Sequence, residues 1–519
     1  MRRTLPVFAS LLAVALTSER AFASSALEYP DNGTAQFSRG GAWLATATDP
    51  IAGYYNPAAL ATQATSFSLG MNLAFQSICF ERKGPGGAEV GPSKGLTDQG
   101  LTYREVCNAN AGHPNAIPSV GFVWRAAERL GLGLTVVPPS SYGQVEWPDL
   151  QVVPGREQPL PAPQRYLSLY TKGTILFPTL AAGYSITDQL HVGAGFVAGI
   201  AILEFRSMSI SNVDPTNPID QYTQDTRSRV RAKDLFVPGV VVSGLFEASS
   251  HLDLAAWYRY SDKIRAKGDL EVIAPYYNSA GIRRAVCDDP TKGCAEVTRS
   301  EDQKGKDAAQ VTLTLPMEAR IGARWHMPRK ATTPLEAESF RHDRFRVRDP
   351  LRDDLYDMEL DLTWANNSAA EKTEIRFAEG INVLGLPGTV PTNADRPTGF
   401  RDSFGVRLGM QWNALRNRAG LRLGSWLETS AVKKEYLSVT GVPAFRGGFG
   451  GGAVLRVQAV DLEAGYQHIW NGGLDNGGDG AQKAIAGSGS ADHRSYHAVN
   501  GGSVRQHANV FSVGGVARF

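Results

Sequence analysis

From Ser66 to its last residue, the chain repeatedly alternates apolar and polar side chains over stretches longer than an ordinary strand. Met358, Leu360, Leu362 and Trp364 alternate with Glu359, Asp361 and Thr363. Val460, Leu462, Ala464 and Tyr466 alternate with Asp461, Glu463 and Gly465. Between Val311 and Trp325 the odd positions are Val311, Leu313, Leu315, Met317, Ala319, Ile321, Ala323 and Trp325, while Glu318, Arg320 and Arg324 stand on the even ones. Successive strand residues point to opposite faces, so each stretch has one apolar and one polar face. Strands of soluble folds run about 5–6 residues. A face as long as Val311–Trp325 suits a tilted crossing of hydrocarbon instead.

Fourteen such stretches are predicted, an even number as a single-chain barrel requires: 66–78, 117–126, 130–140, 165–185, 189–206, 230–248, 251–272, 308–327, 355–378, 402–413, 418–428, 445–457, 459–470 and 505–519. Short connectors alternate with long ones, as periplasmic turns alternate with external loops. The charged connector 328–354 breaks that rule and reads as a solvated insertion. The last face, Phe511, Val513, Gly515, Ala517 and Phe519, is wholly apolar. A final strand closing on an aromatic residue resembles the assembly signal of bacterial outer-membrane barrels. The fold class expected is all-β: a transmembrane antiparallel barrel of about 14 strands with a small N-terminal plug.

The N-terminus reads as a secretory signal over residues 1–23. Arg2 and Arg3 precede an apolar core from Leu5 to Leu16, and Ala21-Phe22-Ala23 is a small-x-small cleavage site. Residues 24–65, rich in Gly, Ala and Thr, lack strand period and read as short helices and turns, leaving 66–519 for the barrel. The longest later apolar run, Val192 to Phe205, is interrupted by Gly193, Gly195 and Gly199, so no transmembrane helix is expected. Lys+Arg 53 against Asp+Glu 51 gives a formal charge of +2, which argues against a nucleic-acid partner. In an exported chain, Cys79/Cys107 and Cys287/Cys294 are expected as two local disulfides in external loops. A zinc site is disfavoured because neither pair has CxxC spacing.

Catalytic patterns are missing from this reading. There is no GxSxG elbow, and Gly448 to Ala453 mimics a dinucleotide fingerprint without the helix that should follow. His493, His497 and His507 read as polar loop residues rather than ligands. No enzyme activity and no cofactor are expected. The inward charges Glu318, Arg320, Arg324 and Arg422 are read as a lumen network, with the arginines as candidates to meet a ligand carboxylate.

Several ordered stretches resemble the FadL-type outer-membrane transporters of long-chain fatty acids and aromatic hydrocarbons. Arg39-Gly40-Gly41-Ala42, Asp49 and Asn56-Pro57-Ala58 are similar to that family's N-terminal hatch. Phe177 to Gly195 looks like its central hairpin. Tyr258 to Ser261 with Gly268, Leu315-Pro316 with Gly322, Arg418 to Gly420, and Glu435 to Leu437 with Val442-Pro443 look like later signatures. Ser141-Tyr142-Gly143 resembles the kinked third strand, so Gly143 would mark a lateral gap.

The resemblance implies a monomeric barrel in the outer membrane, among lipid and lipopolysaccharide. It would capture hydrophobic small molecules (fatty acids or hydrocarbons) at external loops and release them sideways after a hatch rearrangement. Asn56, Pro57 and Ala58 would gate. Asn56-Pro57 also fits a simple helix start, with Asn as cap and Pro at the first position. The loops 207–229 and 273–307 are polar, with Asp214, Asp220, Arg283 and Asp288, which leaves the ligand open. The alternatives are a general porin and a structural or adhesive barrel.

Overall fold

The computed structural model describes residues 31–90, 102–138, 143–152, 160–209, 225–273, 297–298, 308–330, 347–379, 382–383, 393–441, 444–482 and 498–519. The signal segment 1–23, Ser141 and Tyr142, Cys287 and Cys294, His493 and His497, Val442-Pro443, and most of the two polar loops lie outside them.

Fourteen antiparallel spans close into one ring. They are β1 (Ser66–Arg82), β2 (Asn115–Ala127), β3 (Leu130–Val137, resuming as Gly143–Glu146), β4 (Tyr170–Ser185), β5 (Leu190–Ser209), β6 (Thr226–Ser249) and β7 (Leu252–Ser261, resuming as Ile264–Ile273). They continue as β8 (Ala309–Leu313, then Glu318–Pro328), β9 (Asp354–Ala365, then Lys372–Phe377), β10 (Ser403–Leu415), β11 (Ala419–Glu428), β12 (Arg446–Val457), β13 (Val460–Asn471) and β14 (Gly502–Arg518). The seam pairs β1 with β14 without a break from Ser66↔Arg518 to Arg82↔Gly502. Closure leaves no open edge, the condition for a sheet to sit in lipid, where unpaired backbone groups find no water.

Period-2 alternation sorts the side chains as read. On β9, Met358, Leu360 and Leu362 face outward, while Asp357, Glu359 and Asp361 are buried inside. On β13, Leu462 and Tyr466 face outward, with Asp461, Glu463 and Gln467 buried.

The stretch Val311–Trp325 is different: its odd positions do not form one face. Val311 is fully buried, whereas Ile321 is 57% exposed. The ladder stops at Leu313 and restarts at Glu318, and the four intervening residues, with Pro316 among them, reverse which parity points inward. The neighbouring spans are interrupted too. The β5–β6 register slips between Asp234 and Val237, β7 breaks at Asp262 and Lys263, and β9 breaks between Ala365 and Lys372. On one side of these interruptions the inward residues of β6 to β8 are apolar (Val230, Ala232, Ile264, Ala266, Val311) and outward ones are charged (Lys233, Arg265, Lys267). On the other side the pattern inverts on β7 and β8, with Asp253, Arg259, Glu318, Arg320 and Arg324 inward and Leu254, Tyr260 and Ile321 outward, while β6 changes parity but keeps Val237, Val241 and Leu245 inward.

Two further expectations change. Cys79 lies on β1 rather than in the loop, and its disulfide to Cys107 fastens the following connector to that strand. The C-terminal end of the charged connector 328–354 is not solvated. Arg348 donates to Ala45 O at 3.1 Å and pairs with Asp253, and Asp349 pairs with Arg456 at 2.5 Å. Residues 331–346 lie outside the described part.

The apolar belt has a direct consequence for stability. Leu423, on β11, is 58% exposed in the middle of that belt. Leu423→Arg is expected to cost about 2–4 kcal/mol, the range for arginine on a lipid-facing barrel position near the midplane. Guanidinium unfolding in phospholipid vesicles measures it, and an unchanged midpoint would place Leu423 outside the hydrocarbon.

Candidate functional site

Residues 31–65 run inside the ring. Alanine, glycine and aromatic side chains let this stretch pack closely, and short polar ones satisfy its turns. It holds helix α1 (Thr34–Ser38), helix α2 (Ala52–Tyr55) and a 3-10 turn, Pro57–Thr62, with almost every residue buried.

Helices this short have little stability of their own in water. The wall supplies what they lack. Glu359 and Asp361, two positions apart on β9, accept four consecutive plug N–H groups. Trp43 N and Leu44 N donate to Asp361 Oδ2 at 3.0 and 3.2 Å, and Ala45 N and Thr46 N donate to Glu359 at 2.6 and 3.1 Å. Arg39 Nη2 reaches Asp357 Oδ1 at 2.5 Å. Both carboxylates on β9 were legible as inward charges; their use as acceptors for plug backbone was not, since the donors lie some three hundred positions away.

Asn56, Pro57 and Ala58 sit against the hairpin of β4 and β5. Pro57 opens the 3-10 turn, but the Asn56 side chain does not cap it; Asn56 Nδ2 donates to Leu44 O at 2.7 Å. Asn56 Oδ1 is buried without a hydrogen-bond partner among the described residues, an omission that costs about 1–3 kcal/mol. Ala58 N donates to Ser243 Oγ at 2.8 Å. The hairpin is glycine-rich because backbone meets backbone there. A Cβ on Gly193 would stand 2.7 Å from Pro57 O, and one on Gly183 would stand 2.8 Å from Ala61 N.

Tyr54 joins the plug to the wall. Trp257 Nε1 donates to Tyr54 O at 2.8 Å, Arg259 bonds its hydroxyl, and its ring stacks on Phe177 at 5.8 Å. Arg320 lies over the rings of Trp257 and Tyr55, at 5.3 and 5.7 Å. Phe177 opens the stretch similar to the family's central hairpin, whereas Trp257 carried no sequence signal beyond its hydrophobicity.

The four charges singled out from the sequence are all buried and ion-paired. Glu318 meets Arg259 and Arg320, each at 3.6 Å. Arg320 also meets Asp31 at 3.6 Å. Arg324 meets Asp253 at 2.9 Å, Asp357 at 3.5 Å, and Asp354. Arg422 meets Glu463 at 2.8 Å and Gln411 Oε1 at 2.8 Å. Taking away one partner of a buried pair costs about 3–5 kcal/mol.

A cavity of about 260 Å³ lies among the apolar inward residues, lined by Ile175, Leu203, Phe205, Leu313, Leu315 and Phe377. Arg396 lines it as well. Among the described residues its guanidinium donates to Leu167 O at 3.2 Å and meets no carboxylate. The sequence offered no sign of Arg396, which lies in the connector after β9 on a two-residue strand paired to Lys372 and Thr373.

Gly143 stands at an interruption of the wall. The β2–β3 ladder runs from Ala127↔Leu130 only to Val120↔Val136, while β2 stays paired to β1 down to Asn115↔Ala74. Where β3 resumes, Gly143 has φ +68°, a region that favours glycine. Gln144 N donates to Asn115 Oδ1 at 2.9 Å, a side-chain bond standing in for ladder bonds.

A family model described as outer membrane protein transport protein (OMPP1/FadL/TodX) matches residues 14–473. The crystal structure of a Pseudomonas aeruginosa FadL homologue is similar at a TM-score of 0.65 and 16% identity, over 95% of this chain and 100% of that one. The toluene transporter TbuX of Ralstonia pickettii matches at 0.55 and 14%, over 95% and 99%. The P. putida toluene transporter TodX matches at 0.56 and 12%, over 95% and 99%. At these identities the likeness is one of fold. No curated protein matches the sequence.

The plug carries its own titratable group. Burial and the nearby Glu463 carboxylate push Asp49 up from 3.8 to about 7, against the Ile51 N–H, Arg422 and Arg518, which pull it down. The packed plug therefore binds more protons than the unpacked chain between about pH 4 and 7. This stabilisation is full below the unfolded value and is lost as pH rises through 7. In planar bilayers, brief conducting openings are expected to be more frequent at about pH 8 than at about pH 5.5. Asp49→Asn should make the two conditions alike; a pH dependence that survives it would exclude Asp49 as the source.

Proposed function

The chain belongs to the OMPP1/FadL/TodX family of outer-membrane transport proteins, and we propose that it carries hydrophobic acids, such as long-chain fatty acids, across that membrane. Residues 1–23 direct export, 24–65 act as the hatch, and 66–519 form a barrel that works as a single chain. The ligand enters from the long-loop end, occupies the cavity, and leaves sideways beside Gly143 after the hatch shifts at Asn56, Pro57 and Ala58.

One observation carries this reading. The apolar residues of the cavity wall, Leu203, Val230 and Leu315, belong to one buried cluster that continues through Phe177 and Trp257 to Tyr54, Tyr55 and Trp43 of the plug. A greasy solute moving along it keeps its apolar surface out of water, preserving about 25 cal/mol per Å² of burial. A general porin needs an open aqueous path, and a lumen occupied by residues 31–65 argues against one. The half-satisfied Asn56 amide suits a turn that holds one shape and then yields.

The acid preference rests on Arg396. Arg320, Arg324 and Arg422 are taken by carboxylates of the barrel and the plug, whereas Arg396 faces the cavity without one among the described residues. Arg396 is half-buried at an apolar cavity, and a ligand carboxylate would give it the acid partner that the described residues do not.

Uptake of labelled oleate and of toluene, in a Gram-negative host lacking its own fatty acid transporter, tests both points. Replacing Asn56-Pro57-Ala58 with glycines should abolish uptake of the carried ligand. Arg396→Ala should cut oleate uptake roughly tenfold, the worth of one charged hydrogen bond, and leave any toluene entry within about twofold. Equal loss of both ligands sinks the acid preference. If neither ligand enters through a correctly inserted barrel, the transporter reading fails.

A further inference from the structure

Beyond the strand interruptions, the outward face of the wall carries cations. Lys172 on β4, Arg231 and Lys233 on β6, Lys263 in the break of β7, and Lys267 beyond it are all exposed. Lys233 and Lys267 stand directly opposite each other in the β6–β7 ladder. Side chains so placed leave their strands only about 5 Å apart, and like charges in that position destabilise the pair.

Arg231 meets Glu204 at 3.9 Å, but the barrel does not neutralise the lysines. Among the described residues, Lys172, Lys233, Lys263 and Lys267 have no carboxylate within ion-pair reach. The nearby acids are engaged elsewhere: Asp262 pairs with Arg265 at 2.8 Å, and Glu204 holds Arg206 and Arg229 at 2.6 and 2.7 Å. Asp269 stands opposite Arg231, a row away from the lysine pair.

The position of the pair is specific. Two residues along β6, Leu235 and Phe236 are 61% and 59% exposed, and Tyr260 on β7 also faces out. The ammonium groups thus lie at the border of the apolar belt on the long-loop side, which faces the outer leaflet. Across the ring, the outward residues Tyr466, His468 and Asn509 are neutral in kind and bonded to one another, at 2.8 and 2.9 Å. Outward cations elsewhere, such as Arg505 on β14 and Arg376 on β9, are paired, with Glu105 and Asp395.

We propose that this sector binds the phosphate groups of lipopolysaccharide, with Lys233 and Lys267 as its centre and Lys172, Arg231 and Lys263 around them. A phosphate bridging two opposed ammonium groups turns a repulsion into two charge-assisted hydrogen bonds. The acyl chains of the same molecule then lie against Leu235, Phe236 and Tyr260. The site is on the outside of the wall and is separate from the cavity and the plug.

Binding of lipopolysaccharide to the purified full-length protein in detergent tests this. Lys233→Ala with Lys267→Ala should weaken binding roughly tenfold or more, as expected for two surface cations at a lipid headgroup. Arg418→Ala, in the short turn at the opposite end, should change nothing. Chemically dephosphorylated lipopolysaccharide should bind the wild-type protein with a similar loss, an arm that does not depend on the variant folding. Equal affinity for intact and dephosphorylated lipid overturns the proposal. So does a double variant that migrates as a folded, heat-modifiable barrel and binds like the wild type, or an equal affinity for phosphatidylglycerol.

Discussion

A strand has two faces, and in this barrel each face must suit different surroundings at different heights. Near the plug the wall needs charge inside and hydrocarbon outside. Around the cavity β7 and β8 need the reverse, and β6 shifts its parity beside them. A regular strand cannot change faces, because its side-chain period is two. The interruptions at 234–237, 262–263 and 314–317 are where these strands change, and the break in β9 lies beside them. Everything that makes the interior a candidate route for a greasy solute follows from that change: apolar lining around the cavity, charged anchors around the plug, and cations on the outer wall where lipid ends.

The plug is held as a guest rather than folded as a domain. Its helices are one turn long, and its backbone donors are met by Glu359 and Asp361 of the wall. Carboxylates suit this work because they accept several bonds each and leave the plug free to be built of small side chains. The arrangement is firm in sum, yet it rests on few groups. Arg348 closes it from the end of the short turns, tying Ala45 to Asp253.

The barrel was legible because alternation is local. All fourteen spans were placed close to where they stand, and the face of Phe511, Val513 and Ala517 lies as read. The reversal within β8 was not legible, because Val311 and Ile321 are both apolar and both odd. A sequence does not distinguish apolar toward a cavity from apolar toward lipid. The pairing of Arg320 and Arg324 was half legible: their inward direction followed from parity, while Asp253 and Asp354 come from the register of the neighbouring strands β7 and β9, and Asp31 from the N-terminal segment inside the ring. Asn56-Pro57-Ala58 stood out by resemblance, but the bond from Asn56 to Leu44 O reverses the capping that its sequence suggests. Arg396 had neither period nor motif to mark it.

The seam between β1 and β14 sets an order of events during biogenesis. Residues 31–65 are synthesised before every strand, yet Trp43 waits for an acceptor 318 positions later in the chain. Until then its donors have only water or a periplasmic chaperone, and contacts so distant in sequence form slowly. β1 begins at Ser66, directly after the plug, and its partner on the seam is the last strand made. Once the seam has zipped, the ring offers no gap through which a whole folded segment could enter. The segment 31–65 is therefore expected to be gathered in while the sheet is still open, before β1 and β14 pair along their whole length.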